Sequence, residues 1–385
     1  ALSLFLLIGA GLFVRSLRNL RSLDTGFDHE NIVQFSIDPG AGYNLEQRAN
    51  LNKQMLSRLE ALPGARSATL SNTGLLSPYG TITAVTIPGD ARRAEENPHC
   101  WVLKVGPRFF ETMKMPILVG REFGPQDERT APPGNQSAAN SQPLHAVINQ
   151  TMARYFFGDE NPVGKRFNDE GQELEIIGVA KGAKYTTLRE QAPHTYYRYY
   201  FEQPTPRDIT LHLRTGGDAI DYAATIQRLV REIDPQLQVV GLRTMTDVVN
   251  ESLMHERFIA QTASAFSLFA LLLACVGLYG VMSYAVARRT NEIGIRIALG
   301  ALPANVVRMV MREVALLIAL GVGVGLAAAM ATTRLVGALL FGLSPTDPLT
   351  IALAMLLMIV VAALAGYLPA RRASRIDPMV ALRYE

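Results

Sequence analysis

Two stretches of this chain come close to patterns that do chemistry, and both miss it. The segment GDENPVGKR at 158–166 approaches a phosphate-binding loop, but five residues separate its glycines where the loop needs four. Arg166 also stands where a Ser or Thr would hold Mg²⁺. A turn bent by Pro162 and Gly164, after a short helix over 150–157, is the better reading. His255-Glu256 opens like a zinc-protease helix, yet Ile259 occupies the position of its second His. The six His, at 29, 99, 145, 194, 212 and 255, show no ligand spacing, so no metal is expected. No Ser lies in a G-x-S-x-G elbow. Phe156 and Phe157, with Tyr196, Tyr197, Tyr199 and Tyr200, fit core and sheet-face packing better than a ligand groove. No catalytic residue and no cofactor are therefore expected.

The segment that can do mechanical work is RRTNEIGIRIALGALPANV at 288–306. Residues 290–299 read as a short amphipathic helix. Glu292 and Arg296 form an i,i+4 pair of the favoured polarity, and Ile293, Ile297 and Leu299 supply apolar surface. Gly300 is a helix stop, and Pro303 suits the first turn of the next helix. Such an elbow between two membrane helices can take a push from a cytoplasmic partner and pass it to both. The plainer reading is an interfacial anchor with snorkelling arginines.

The elements that must position this elbow emerge from composition. Of the 385 residues, 49% are hydrophobic and 18% charged, against about 25% charged in ordinary soluble chains. The deficit has an address: residues 1–14, 259–287, 314–333 and 348–370 contain no Asp, Glu, Lys or Arg. The last three are long enough to span a bilayer, which takes about 20 residues. The first is short and has no initiator Met, so it is expected to be a truncated span. Tyr279, Tyr284 and Tyr367 sit near run ends, as interfacial aromatics do. This pattern excludes a purely cytoplasmic enzyme and a disordered chain. A net charge of +3 is too small for a polyanionic partner, so no nucleic acid is expected. Two cysteines, Cys100 and Cys275, make no disulfide framework.

Orientation follows from the short loops. The 288–313 loop carries Arg288, Arg289, Arg296, Arg308 and Arg312, whereas 334–347 carries Arg334 alone, and the tail carries Arg371, Arg372, Arg375 and Arg383. Basic loops stay cytoplasmic. The loop and C-terminus then face in, and residues 24–258 form one large extracytoplasmic domain. The central spans hold no ionisable side chain, which disfavours an ion-coupled carrier. Gly321 and Gly325, four apart, bare one helix face for close packing against another helix or subunit.

Within the outer domain, strands are expected at 31–37, 65–71, 81–87, 101–105, 145–149, 174–180, 195–200, 209–213 and 237–242. Helices are expected at 44–62, 107–113, 150–157 and 219–233, with a last helix from Thr246 running toward the membrane. The polar stretch 130–143 reads as a mobile loop. Strand–helix–strand units at 31–71 and 209–242 look related and flank a β-rich middle. Two lobes follow, the outer one inserted at about 88–205. The fold class is α+β: a four-span helical membrane protein, its first span truncated, with a two-lobed mixed α/β extracytoplasmic domain. The expected divisions are 1–23, 24–258 and 259–385.

The elbow motif NEIGIRIALGA at 291–301, with the tail LPARRASRIDPMVALRYE at 368–385, resembles the MacB/FtsX-like permeases of ABC transporters. The blocks AVINQTMARYFF at 146–157, NPVGK at 161–165 and EIIGV at 175–179 are similar to the periplasmic core domain of that family. Residues 1–17 with DTGF at 24–27 are similar to the start of the second half of its duplicated members. The resemblance implies a bacterial inner-membrane permease whose elbow docks on a partner ABC ATPase through Glu292, Ile293, Gly294, Arg296, Gly300 and Ala301. It also implies a homodimer or a pseudo-dimer with a second permease half, and a periplasmic adaptor. The chain carries no nucleotide-binding domain, so the ATPase is expected on a separate chain or a missing segment. Two functions fit: a permease that couples ATP hydrolysis to movement of the outer domain in export or lipoprotein handling, and a regulator that actuates a cell-envelope hydrolase.

Overall fold

The computed structural model describes residues 1–77, 79–88, 98–128, 143–202, 209–299, 302–337 and 347–374. The polar stretch 130–143 lies outside these, Pro143 excepted. The chain divides into two units: Leu23–Ser252, and Ala1–Ser22 with Leu253–Glu385.

The chain opens on helix α1 (Leu2–Arg21), and the core unit follows. Its elements are β1 (Ile32–Asp38), α2 (Leu45–Glu60), β2 (Ala65–Ser71), β3 (Thr81–Thr86), β4 (His99–Val105), α3 (Phe109–Thr112), β5 (Ile117–Gly120) and β6 (Leu144–Asn149). Then come α4 (Gln150–Phe157), β7 (Arg166–Asp169), β8 (Gln172–Ala180), β9 (Thr195–Tyr199), β10 (Thr210–Thr215), α5 (Ala223–Ile233), β11 (Gln238–Thr244) and α6 (Met245–Ser252). Local chemistry explains the helix starts. Asn44 and Gln47 exchange side-chain to backbone bonds of 2.9 Å in a capping box, and Asn149 accepts from Met152 N at 2.9 Å. Leu51, Met55 and Leu59 recur every four residues and turn one stripe of α2 into the core. The DTGF segment is a tie: Gly26 adopts φ +84°, where a β-carbon would fall 2.6 Å from Ala183 Cα, and Thr25 O accepts from Lys184 N at 3.0 Å.

The two strand–helix–strand units interleave. The sheet order β11-β1-β10-β2, antiparallel throughout, places each strand of one unit beside a strand of the other. Helices α2 and α5 touch each other alongside this sheet. Between β2 and β10 the chain builds a second lobe, a ring β4-β3-β7-β8-β6-β9 closed by parallel pairing of β9 with β4. Closure leaves no strand of the ring without two neighbours, which removes exposed edges. Phe167, Leu174, Ile176 and Tyr196 join Met152 of α4 in its core. The expected strands are present within a residue or two at most ends. Strands β5 and β7 were not anticipated, being four residues each and defined by their pairing with β8 rather than by an apolar pattern. The helix expected from Thr246 toward the membrane is broken at Leu253 into α6 and a separate long helix.

One face of the four-stranded sheet is polar. Gln34, His212 and Thr69 are directly opposed across β1, β10 and β2, and Ser36, Thr210 and Ser71 form the next row. Ser71 Oγ donates to Thr73 O at 2.6 Å, so the 2.9 Å contact between Ser71 Oγ and His212 Nε2 makes the imidazole the donor. Burial pulls the pKa of this imidazole down to about 3, which keeps it neutral at ordinary pH. An unfolded His protonates near 6.5. The native state thus binds fewer protons between those values, and stability falls as pH drops from 6.5 toward 3. Urea unfolding followed by far-ultraviolet circular dichroism will show on the order of 1–2 kcal/mol lost between pH 6.5 and 5, with carboxylates still ionised. His194, also held low by burial, adds the same sign. His212→Gln keeps the donor to Ser71 and will flatten most of the slope.

Candidate functional site

The helical unit consists of α1 with α7 (Met254–Arg288), α8 (Thr290–Ala298), α9 (Pro303–Gly337) and α10 (Pro348–Ala373). All except α8 are long and apolar enough to cross a membrane, α9 over Pro303–Thr332. Each extends beyond its charge-free run, and α1 continues through Arg15 and Arg18 to Arg21. Helix α1 is stapled to α7 by Ser267 Oγ donating to Leu6 O at 2.7 Å and by Ser3 Oγ donating to Ala270 O at 3.0 Å. Arg15 pairs with Asp347, whose carboxylate also caps α10 by accepting from Thr350 N at 2.9 Å.

The expected packing glycines divide. A β-carbon on Gly325 would come within 2.9 Å of Ala1 O and 3.1 Å of Leu4, so this glycine lets α1 and α9 approach closely. Gly321 has a single ordinary neighbour, Ala1 N at 3.6 Å from such a carbon. Two tighter approaches lay unread in the sequence. Gly366 of α10 faces Val314 of α9, and Gly11 of α1 faces Thr350, with 2.6 and 2.7 Å left for a β-carbon. Nothing in an apolar run distinguishes a glycine that meets a neighbour from one that does not, and Gly323 meets none.

The elbow is built as follows. Helix α7 ends at Arg288, Arg289 turns the chain, and α8 begins at Thr290, whose hydroxyl donates to Ala287 O at 2.8 Å. Ile293 N donates to Arg289 O at 2.9 Å. The Ile293 side chain is 1% exposed and packs in a cluster with Val306 of α9 and Ala373 of α10, flanked by Val286, Ile297 and Met309. One short helix is thereby pegged to the same ends of three spans. Charge supports the peg: Arg289 pairs with Glu313, and Glu292 pairs with Arg296 at 2.7 Å. Arg296 also reaches Met309 Sδ at 3.0 Å. On the other side, Ile295 and Leu302 are exposed and Leu299 is 83% exposed.

Of the residues assigned to coupling, Glu292 and Arg296 are half-exposed partners of each other, and Ile293 points inward as the anchor. Gly294 lies within α8; Gly300 and Ala301 lie outside the described residues. Ile295 and Leu302 were missed, although their apolar character beside the Glu292–Arg296 pair was visible. Among the described residues no group of His, Cys, Asp and Glu could hold a metal.

Residues 1–247 match the MacB-like periplasmic core domain, and residues 264–378 match the FtsX-like permease C-terminal region. The chain belongs to the MacB/FtsX-like permease family, as a multi-pass membrane protein with a periplasmic domain. It is 27% identical over 288 residues to the macrolide export ATP-binding/permease protein MacB of Marinobacter nauticus, covering 72% of this chain and 42% of that protein. It is 27% identical over 282 residues to the pyoverdine export ATP-binding/permease protein PvdT of Pseudomonas syringae pv. tomato, covering 70% and 40%. The chain thus spans about two fifths of the length of these relatives. Among solved structures it is similar to the periplasmic region of MacB from Actinobacillus actinomycetemcomitans, at 13% identity and a TM-score of 0.38, over 62% of this chain and 97% of that one.

Removing the peg tests the elbow. Ile293→Ala leaves a cavity at the meeting of α8, α9 and α10 and will destabilise this contact by about 2–4 kcal/mol. Amide exchange over 290–299, measured on the chain in lipid nanodiscs, will accelerate at least tenfold. Ile295→Ala, on the exposed side, will leave exchange unchanged.

Proposed function

We propose that this chain is the permease portion of a MacB-type ABC export system, in which ATP hydrolysis by a partner ATPase domain or subunit moves the periplasmic domain. The observation that carries the reading is the elbow: Ile293 locks α8 into the helical unit, while Ile295, Leu299 and Leu302 and the Glu292–Arg296 pair face outward. A partner displacing α8 therefore displaces α9 and α10 with it. The relatives' names join ATP-binding to permease, and this chain matches two fifths of them, which supports an ATPase supplied from elsewhere. Glu292 and Arg296 then belong to the docking side of the elbow, and Ile293 serves as its anchor; Gly294, Gly300 and Ala301 are proposed to take part in docking from their place in the motif alone. The arginine-rich loop 288–313 and the C-terminus face the cytoplasm of a bacterial inner membrane, and residues 24–258 face the periplasm.

Charge-free central spans offer no ion or proton path, so the driving force has to arrive mechanically. A bound ATPase can shift the permease only by as much as it prefers one of its states over the other, and the elbow is where that preference is expressed. Gly325 and Gly366 keep α9 tight against α1 and α10, so movement at the elbow is transmitted rather than absorbed. The working unit is a dimer of permease halves, either two copies or a pseudo-dimer, with an adaptor on the periplasmic side. The two named cargoes, macrolide and pyoverdine, have only export in common, and export is what carries over.

The test is a charge swap. Glu292→Arg breaks the intrahelical pair, whereas Glu292→Arg with Arg296→Glu restores it in reverse order. If the ATPase reads this face, both variants will lose at least tenfold in co-purification with the ATPase and in its stimulated turnover. A double variant that couples as well as the parent chain sinks the docking assignment and leaves the pair a purely local helix stabiliser.

A further inference from the structure

Helix α9 carries a row of residues four apart whose chemistry changes abruptly along it: Arg308, Arg312, Leu316, Leu320 and Val324. All five are exposed. Val310 and Val314, each two residues beyond one of the arginines, pack inward with Met282 of α7 and Ala370 of α10. Two residues turn a helix by about 200°, so Arg308 and Arg312 stand on the side of α9 away from that packing.

The two arginines are unmatched. Their neighbours at the elbow have acids of their own, Arg289 with Glu313 and Arg296 with Glu292. Arg308 and Arg312 have no acidic partner among the described residues. Two like charges four apart on a helix repel each other. An anion held between them relieves that repulsion, and guanidinium groups bind phosphate oxygens through paired N–H donors.

Depth decides which anion fits. At about 1.5 Å of rise per residue, the arginines are about 6 Å apart along the axis. They stand just before the charge-free run that starts at Val314. Their spacing matches a headgroup layer of roughly 5–8 Å. Leu316 to Val324 continue the row for about 12 Å, close to the roughly 15 Å of hydrocarbon in one leaflet. A free phosphate or an acidic protein segment would use the arginines and leave the aliphatic part of the row without a role. A lipid with an anionic headgroup uses all of it.

We propose that Arg308 and Arg312 form a headgroup site for an anionic phospholipid. Its phosphodiester lies between the two guanidinium groups, and an acyl chain lies along Leu316, Leu320 and Val324. The orientation proposed above puts this site in the cytoplasmic leaflet. Headgroup recognition itself depends on neither that orientation nor ATPase docking, since it uses no residue of the Glu292–Arg296 pair.

The experiment uses the full chain in neutral detergent, with bound lipid counted by native mass spectrometry. The probes are dioleoyl phosphatidylglycerol and dioleoyl phosphatidylcholine, which share their acyl chains and differ in headgroup charge, and sn-glycerol 3-phosphate, which has no acyl chain. Phosphatidylglycerol will bind at least fivefold more tightly than phosphatidylcholine and at least tenfold more tightly than glycerol phosphate. Arg308→Gln combined with Arg312→Gln will cut the preference between the two lipids to below twofold. Either single substitution will cut it at least 1.5-fold and serves if the double variant does not fold. Arg371→Gln, which removes the same charge from the end of α10, will leave the preference unchanged. The proposal is overturned if phosphatidylcholine binds as tightly as phosphatidylglycerol, which would leave the pair to an acidic protein partner. It is equally overturned if glycerol phosphate matches the lipid, if the Arg308 and Arg312 variants keep the parent preference, or if Arg371→Gln lowers it as much as they do.

Discussion

Everything in the core domain depends on the pairing of β1 with β10, strands drawn from its two ends. Ile32 to Ser36 lie opposite Arg214 to Thr210, and β11 closes on the other side of β1, with Val33 opposite Thr244. The start and the finish of the domain are thereby held at one edge of one sheet, where Thr246 Oγ1 bonds to His29 O. A domain inserted between two membrane helices needs this, since the chain must leave one span and return to the next. Loop-closure entropy grows slowly with length, so the sheet can tolerate the whole second lobe between β2 and β10 once the register is set. The register itself is pinned by side chains that cannot exchange faces: Val33, Phe35 and Ile37 are buried apolar groups, and Gln34 and Ser36 alternate with them.

The helical unit solves a different problem with different means. In a bilayer the backbone must satisfy itself, which leaves helices as the local answer and small residues as the way to bring them together. Gly325, Gly366 and Gly11 supply the close approaches, and Ser267 and Ser3 supply hydrogen bonds from side chain to neighbouring backbone. Ile293 of α8 packs with Val306 and Ala373, whereas Ile295, Leu299 and Leu302 are exposed.

Much of this was legible in the order of residues, for identifiable reasons. The Glu292–Arg296 spacing, the helix start at Pro303, and the capping residues Asn44 and Asn149 act within a turn or two of helix, so they can be read locally. What escaped reading depends on a distant partner. Strands β5 and β7 exist because β8 offers its edges to them. Gly366 matters because Val314 comes to meet it. The tyrosines at 196, 197, 199 and 200 are indeed core and sheet-face groups, with Tyr196 OH bonded to Asp169 inside the closed ring.

The sequence by itself determined the presence of four apolar helices and a mixed α/β domain, the position of the short elbow helix and membership of the family. These follow from charge, period and short motifs, all of which are local properties of the chain. Tertiary structure alone decided that the two strand–helix–strand units interleave and that the β-rich middle closes into a ring. It also decided that Ile293 points inward while Ile295 points out, and that Gln34, His212 and Thr69 share one buried row. Each of those outcomes is a pairing between residues far apart in sequence, whose energy is set by what meets them in space.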